Sequence, residues 1–269
     1  MSSWCLARRA GPFMEPTVEV EDREGGIRVL TLVNPARRNA LDDRLLGLLD
    51  AALSAPASTR VFLLRGAGGT FCSGYDLTNL GPSSSDGRLP DDALMAFLSR
   101  LERHPVPSVA LVRGAAFGAG FDLASACDFR VGTPDTVFCM PPARLGIVYA
   151  VDGMARVARR VGLARAKTLF LTARKLEGQT ALGWGLLDEC QEAEAAEAAA
   201  LELCRTLASH APLAVSGMKE VLGLLGAPGL SEEAQARARG LRRASFDSDD
   251  AREGRAAFLE KRSPRFQGR

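Results

Sequence analysis

The sequence predicts a mixed α/β fold in which helices accumulate toward the carboxyl end. Three observations support this prediction. Short apolar runs typical of buried strands alternate with segments whose apolar residues recur at helical spacing. Two of these runs lead into glycine-rich turns, residues 71–76 and 114–122. Beyond Gly153 nearly all of the chain has helical character, apart from a strand-like segment over residues 186–190.

The first half of the chain is predicted to begin with a hairpin. Residues 18–20 and 27–33 are expected to be strands, joined by a turn at residues 24–26. The elements expected next are a helix from Leu41 to Ala52, a strand over 61–65, a mobile loop over 81–90, a helix over 91–103, a strand over 108–112, a helix from Gly120 and strands over 129–131 and 136–139.

The two glycine-rich turns are the most informative feature of the chain. Each follows an apolar strand and is therefore expected at the carboxyl end of that strand, where open α/β sheets bind ligands. Glycine lets the backbone approach a ligand closely enough to donate N–H groups. One such turn is a weak signal, because glycine after a strand is usually only a tight bend. Two turns, followed by the segment 141–149, predict the two halves of an oxyanion hole.

Composition limits the classes of function. The 269 residues are 46% hydrophobic and 25% charged, which is ordinary for one main globular domain with a helical appendage. A formal net charge of +2 gives no argument for nucleic-acid or membrane binding, and we expect neither partner. The six cysteines show neither CxxC nor zinc-type spacing, which indicates free thiols in a reducing cytosol and a cytoplasmic protein. Residues 1–13 lack an apolar core of signal-peptide length and are expected to be a flexible extension.

Several other chemistries find little support in the sequence. His104 and His210 are the two histidines of the chain, and both are expected to be structural or surface residues. Without a third histidine or clustered acids, no metal site is predicted. The sequence contains no GxSxG elbow, P-loop or complete GxGxxG fingerprint.

These motifs give the chain a family resemblance. It resembles the crotonase superfamily of enoyl-CoA hydratases and isomerases over nearly all of its length after Met14. The likeness is sharpest to the methylmalonyl-CoA decarboxylases within that superfamily, in residues 138–149, 211–220 and 240–266. The motifs that carry the superfamily resemblance are NPARRNAL over 34–41, FCSGYDL over 71–77, GAAFGAGFDLASACDF over 114–129 and AFLEKRSPRF over 257–266.

The resemblance implies a fold and a class of substrate. The fold would be a ClpP-like spiral of repeated ββα turns over residues 14–205, followed by a helical trimerisation region over residues 206–269. The assembly would be a homotrimer or a hexamer. The substrate would be an acyl-CoA or another phosphopantetheine thioester. No cofactor is expected, because coenzyme A is part of the substrate.

The resemblance also implies roles in a reaction. The backbone N–H groups of Tyr75 and Ala119 would hold the thioester oxygen, while the phenol of Tyr75 only packs. Hydratases of this superfamily use two glutamates, and this chain has Asp122 and Pro142 at those positions. Proline cannot titrate, whereas decarboxylation needs no base, because carbon dioxide itself departs. The residue that would orient the breaking bond matches Tyr149.

We therefore expect an acyl-CoA decarboxylase that acts on a methylmalonyl-CoA-like thioester through an enolate. Two alternatives stay open: an enoyl-CoA hydratase or isomerase that uses Asp122 alone, and a non-catalytic acyl-CoA-binding homologue.

Asp122 itself has two interpretations. In one, its carboxyl faces the acyl pocket and either assists by repulsion or supplies a proton to the enolate, and burial would raise its pKa and make the protonated form available. It could instead be a helix-start acid paired with the helix dipole or with an arginine such as Arg144.

The resemblance further implies where the coenzyme binds. The pantetheine and adenine would lie over the loop of residues 38–41. Phe258 and Lys261 of a neighbouring subunit would lie near the nucleotide, where lysine suits a phosphate. The residues implied in substrate and coenzyme binding are Arg38, Ala40, Leu41, Ser73, Gly74, Asp76, Gly118, Pro142, Phe258 and Lys261.

Overall fold

The computed structural model describes residues 15–79, 81–210, 212–225, 236, 240, 243–244, 246–262 and 264. The expected N-terminal extension, residues 1–13, lies outside the described residues, as do parts of the expected C-terminal region 206–269.

Six strands form the main sheet, and all neighbouring pairs are parallel except the hairpin of the first two strands. In sheet order they are β1 (Thr17–Arg23), β2 (Ile27–Val33), β3 (Val61–Gly66), β4 (Ser108–Val112), β6 (Phe129–Gly132) and β9 (Glu189–Cys190). A second sheet contains β5 (Ala115–Phe117), β7 (Val137–Cys139) and β8 (Leu176–Glu177).

Helices cover both faces of the main sheet and extend the chain beyond it. Within the described residues they are α1 (Asp43–Leu53), α2 (Asp92–Arg103), α3 (Ala119–Ala126), α4 (Val151–Thr172), α5 (Gly178–Trp184), α6 (Ala193–Ser209), α7 (Pro212–Leu225) and α8 (Asp249–Leu259). The predicted mixed α/β class with helices at the carboxyl end is confirmed.

Residue alternation along the strands separates two apolar cores. On one face of the sheet, Leu30, Phe62 and Ala110 join the large core that α1, α2 and α3 also build. On the other face, the strands pack against α6, whose buried positions are Ala196, Ala200 and Cys204. Small side chains on that face of α6 let the helix lie close to the sheet. The large core is the one that reaches the glycine-rich turns.

The predicted strands and helices are present, but some bounds differ. The helix expected from Leu41 begins at Asp43, because Leu41 forms a bridge with Tyr75 and the Asp42 side chain caps the helix by accepting from the Leu45 N–H at 2.8 Å. Of the strand-like residues 186–190, only Glu189–Cys190 pair.

The second glycine-rich segment is more than a turn. Gly114 has φ +57, and a Cβ there would lie 2.4 Å from the Gly69 carbonyl oxygen, so only glycine fits. The chain then forms β5, which pairs with β7 in the second sheet. Sequence reasoning missed β5 and β8 because strands of three and two residues are too short to show a period.

Two further expectations concern the whole chain. Every described cysteine is free, as predicted, and Cys5 lies outside the described residues. Among the helices that the structure describes, none combines the length and the apolar character needed to span a membrane.

Candidate active site

The two glycine-rich turns lie directly against each other. The Cys72 N–H donates to the Ala115 carbonyl at 3.0 Å, and the Phe117 N–H donates back to the Cys72 carbonyl at 3.0 Å. Gly120 makes this approach possible, because a Cβ at that position would lie 2.4 Å from the Cys72 carbonyl oxygen. The structure therefore brings together the two segments that the sequence singled out.

Each turn contributes one backbone N–H that is a candidate donor to a ligand. The Ala119 N–H opens α3 after Gly118, whose φ of +51 suits glycine, and the Tyr75 N–H follows Gly74, whose φ is +120. Within the described part of the chain, neither N–H has a hydrogen-bond acceptor. Both residues are buried, and buried N–H groups are almost always paired. Such a pair of open donors is suited to bind an anionic oxygen.

The loop before α1 fixes the direction of the Tyr75 N–H. Leu41 donates its N–H to the Gly74 carbonyl at 2.8 Å and accepts from the Asp76 N–H at 2.7 Å. In a parallel bridge, the residue between the two bonded neighbours points its own N–H to the opposite side. The Tyr75 N–H consequently faces away from this loop. The Ser73 N–H adds a third contact by donating to the Arg38 carbonyl at 3.0 Å.

Asn39 holds the same loop in place, a role that sequence reasoning did not assign. Its amide donates to the carbonyls of Ala67 and Thr70 at 2.9 and 2.7 Å, and its side-chain oxygen accepts from the Asn34 N–H at 2.9 Å. Its φ of +59 is a conformation that asparagine tolerates better than most residues. Ala40 beside it is buried and Arg38 is exposed.

The side chains of the first turn serve the structure. The Tyr75 hydroxyl donates to Asp43 Oδ1 at 2.7 Å, and burial raises the pKa of this phenol. Asp76 pairs with Arg37 and accepts from the Thr78 N–H at 3.0 Å. Tyr75 thus packs through its ring, as expected, and leaves its N–H as the group open to a ligand.

Asp122 is the charged residue in the first turn of α3, a helix whose eight residues are all buried. Its Oδ1 accepts from Arg156 Nη1 at 2.5 Å, and its Oδ2 accepts from the Tyr149 hydroxyl at 3.0 Å. The expected partner Arg144 instead donates to the Ala173 carbonyl at 2.9 Å. The suggestion of Arg144 was wrong, because that side chain is directed to the end of α4.

Arg156 was missed by sequence reasoning, although one signal was present. Gly153 stands three residues earlier on the same face of α4. A Cβ at Gly153 would lie 2.5 Å from the ring of Tyr149 and 2.6 Å from Asp122 Oδ2. The missing side chain makes room for the Asp122–Tyr149 pair beside the arginine.

The cluster continues outward through a second carboxylate. Arg156 also contacts Glu102 at 3.2 Å, and Arg159 donates to the same carboxylate at 2.8 Å. Burial raises the pKa of Asp122 above its usual range, and the charge and hydrogen bond of Arg156 and the hydroxyl of Tyr149 offset part of this rise. Burial and the nearby Asp122 raise the pKa of Tyr149. The phenol therefore stays protonated and can donate.

Pro142, which the resemblance aligns with the second acid of hydratases, is buried at the start of a short helical turn, Pro142–Leu145. The Gly118 N–H donates to the Cys139 carbonyl at 2.9 Å, and this hydrogen bond joins the end of β7 to the second glycine-rich turn. Helix α8 packs closely beside this region, because a Cβ at Gly254 would lie 2.5 Å from the Leu145 carbonyl oxygen.

The coenzyme residues expected near the carboxyl end lie on the surface. Phe258 is 59% exposed at the end of α8, and Lys261 follows with φ +54. Among the described residues, no hydrogen bond, ion pair or ring contact joins either side chain to the glycine-rich turns. Their expected role toward a neighbouring subunit stays a prediction.

Comparison with known sequences places this geometry in a family. The sequence profile of the enoyl-CoA hydratase/isomerase family matches residues 22–269. The chain belongs to this family. The family assignment confirms the resemblance to the crotonase superfamily, and the neighbouring solved structures confirm its fold. The Tyr75 and Ala119 N–H groups and the Asp122–Tyr149–Arg156 cluster are therefore features of a family member.

Similar proteins within the family carry names of different reactions. Methylmalonyl-CoA decarboxylase of Escherichia coli is 32% identical over 239 residues, covering 88% of this chain and 90% of that protein. A probable enoyl-CoA hydratase of Mycobacterium tuberculosis is 35% identical over 246 residues, covering 90% and 96%. Because these two relatives are almost equally similar to this chain, their sequence identities do not show which of the two reactions it catalyses.

Solved structures show the same fold. Methylmalonyl-CoA decarboxylase in complex with 2-nitronate-propionyl-CoA superposes with a TM-score of 0.87 at 32% identity, covering 94% of this chain and 99% of that one. An enoyl-CoA hydratase/isomerase from Pseudoalteromonas atlantica gives a TM-score of 0.80 at 28% identity, covering 93% and 100%.

Proposed function

We propose that this protein is an acyl-CoA decarboxylase that removes the carboxylate from the α-carbon of a methylmalonyl-CoA-like thioester. The observation that carries this proposal is the side-chain chemistry beside the second glycine-rich turn. One buried carboxylate, Asp122, is tied to Tyr149 and Arg156, and Pro142 stands where a second acid would be needed to add water.

The backbone donors supply the larger part of catalysis. Loss of carbon dioxide leaves an electron pair on the α-carbon, which delocalises onto the thioester oxygen as an enolate. The N–H groups of Tyr75 and Ala119 bind that oxygen as its negative charge develops. Each donor of this kind contributes about 3 to 4 kcal/mol to transition-state stabilisation. The product forms when the α-carbon takes up one proton.

Asp122 and Tyr149 act on the departing carboxylate. A substrate carboxylate lying against Tyr149 shares the single phenolic proton with Asp122, since both are acceptors and the phenol has one O–H. It also faces the buried charge of Asp122. Decarboxylation moves the negative charge away from Asp122 toward the backbone donors, so the repulsion falls as the bond breaks.

The coenzyme binds along the surfaces named by the family resemblance. Its pantetheine arm lies over the loop of residues 38–41, which is bonded to the first glycine-rich turn. Lys261 of a neighbouring subunit contacts a phosphate of the nucleotide. The 32% identity to methylmalonyl-CoA decarboxylase and the superposition on its complex support this substrate class.

A panel of thioesters tests the proposal. We expect the purified protein to release carbon dioxide from malonyl-CoA or methylmalonyl-CoA and to hydrate crotonyl-CoA slowly in comparison. Efficient hydration of crotonyl-CoA without carbon dioxide release would support a hydratase or isomerase that uses Asp122 alone. Binding of all three thioesters without turnover would support a non-catalytic acyl-CoA-binding protein.

A further inference from the structure

We propose that Arg156 is a positioning residue that keeps the Asp122 carboxylate ionised and aligned beside Tyr149. The acyl end of the site then presents a fixed buried negative charge and not a carboxylic acid. This inference rests on the proposed function, since it specifies how the same site treats a carboxylated substrate.

The geometry leaves Asp122 little freedom. Its two oxygens are divided between two donors, Oδ1 to Arg156 at 2.5 Å and Oδ2 to Tyr149 at 3.0 Å. The Asp122 side chain is 0% exposed and that of Arg156 is 3% exposed, so water does not compete for this contact. The guanidinium is itself anchored by Glu102 at 3.2 Å. Arg156 is therefore fixed between a buried carboxylate and one near the surface.

The charges around Asp122 make Arg156 the decisive cation. Glu102 from α2 and Asp91 just before α2 are both negative, and each disfavours further negative charge in the cluster. Tyr149 contributes a neutral donor, and Arg159 pairs with Glu102 nearer to the surface. Burial by itself favours the protonated form of a carboxyl group. Without the charge of Arg156, Asp122 would take up a proton.

Protonation would change the chemistry of the site. An ionised Asp122 accepts a hydrogen bond from the Tyr149 hydroxyl and repels a substrate carboxylate, which favours its departure. A protonated Asp122 could instead donate to Tyr149, and the repulsion would be lost. Arg156 thus selects the form of Asp122 that suits decarboxylation.

Two substitutions separate charge from hydrogen bonding. Arg156→Gln removes the charge but keeps an N–H donor, whereas Arg156→Lys keeps the charge. The direct readout is infrared absorption in the absence of substrate. The carbonyl stretch of a protonated carboxyl should appear near neutral pH in Arg156→Gln, should vanish when Asp122→Asn is added, and should be absent in wild type and in Arg156→Lys.

Kinetics provides the second readout. We expect kcat/KM for the carboxylated thioester to fall about 100-fold in Arg156→Gln, as misplacement of a reacting partner does. In Arg156→Gln, kcat/KM should rise with pH as Asp122 ionises. Arg156→Lys should recover most of the lost kcat/KM and keep the wild-type pH profile. A purely structural role would lower the melting temperature of both variants without adding this ionisation.

The outcomes distinguish this inference from the proposed function. If folded Arg156→Gln decarboxylates the thioester at the wild-type rate and shows no carboxyl band, the proposed role of Arg156 is overturned. The expected band in a protein that decarboxylates no thioester would support that role and overturn the proposed function. If Arg156→Gln fails to fold, the infrared spectra of wild type and Asp122→Asn are compared. A band of protonated Asp122 in wild type at neutral pH would contradict the inference.

Discussion

The two ends of the candidate site are built in different ways. The proposed oxyanion end presents the backbone N–H groups of Tyr75 and Ala119, in turns held by contacts between main chains. The acyl end uses the side chains of Asp122, Tyr149 and Arg156, which come from separate elements. In the proposed mechanism the backbone end can serve any reaction that forms an enolate, whereas the side-chain end determines which bond breaks.

The largest effect is expected from breaking the oxyanion end. Ala119→Pro removes one N–H donor at the first position of α3, where proline is tolerated. Turnover should fall by about 10²- to 10³-fold while the fold is retained. Steady-state kinetics and a melting curve measure the two quantities.

Ala119→Gly is the matched control for that change. It keeps the N–H and removes only a methyl group, so it should lose far less activity than Ala119→Pro. Near-normal turnover in folded Ala119→Pro would remove this donor from the mechanism.

A smaller effect is expected at the acyl end. Tyr149→Phe deletes the hydroxyl that donates to Asp122 but keeps the ring, whose centroid lies 6.0 Å from that of Phe170. Because one hydrogen bond to a charged group is lost, carbon dioxide release should slow by about 10-fold or more. Unaltered release in a protein of normal stability would show that the phenol takes no part.

A substitution at the coenzyme end is expected to weaken substrate binding and to leave the chemical step unchanged. Lys261→Ala removes a cation that is expected to meet the nucleotide phosphates, so the KM for CoA esters should rise by several-fold while kcat changes little. Thioesters that carry only pantetheine lack those phosphates and serve as the control substrate. An equal rise in KM for both kinds of thioester would mean that Lys261 acts through structure.

The smallest effect concerns His104, a half-buried titratable residue outside both ends. His104 Nδ1 accepts from the Val106 N–H at 3.1 Å, and burial, with a lesser contribution from the charge of Lys219, lowers its pKa below the usual 6.5. The folded state therefore favours neutral His104. Stability should fall as pH drops through 6.5 toward the lower pKa of the folded state.

Denaturant unfolding of wild type and His104→Asn at several pH values measures this dependence. Asparagine can still accept from the Val106 N–H but does not titrate, so the variant should lose less stability on acidification. Identical pH dependence in the two proteins would contradict the assignment.

The contrast between the two ends also explains what the sequence could predict. Glycine positions such as Gly74 and Gly120 reflect local requirements of the backbone, so the sequence alone predicts both turns and the strands that precede them. The sequence indicates Arg156 only through its spacing from Gly153, because its partner Asp122 lies 34 residues away on another helix. Side-chain networks across elements depend on tertiary packing, which periodicity does not encode.

Asn39 shows the same limit within a motif. Its place in the NPARRNAL segment marked the loop as important, but its three hydrogen bonds to Asn34, Ala67 and Thr70 depend on how the loop meets β3. The short strands β5 and β8 were missed for a related reason, since their pairing is long-range.

In the proposed mechanism, the side-chain end directs a site that could form any enolate toward decarboxylation. The most direct measurement is the ratio of carbon dioxide release from methylmalonyl-CoA to hydration of crotonyl-CoA, in wild type and in Pro142→Glu. We expect a high ratio in wild type and a lower one in Pro142→Glu, because the new carboxylate restores the second acid that water addition needs and so favours hydration of crotonyl-CoA. A wild-type protein that hydrates crotonyl-CoA readily and releases no carbon dioxide would contradict the proposed mechanism.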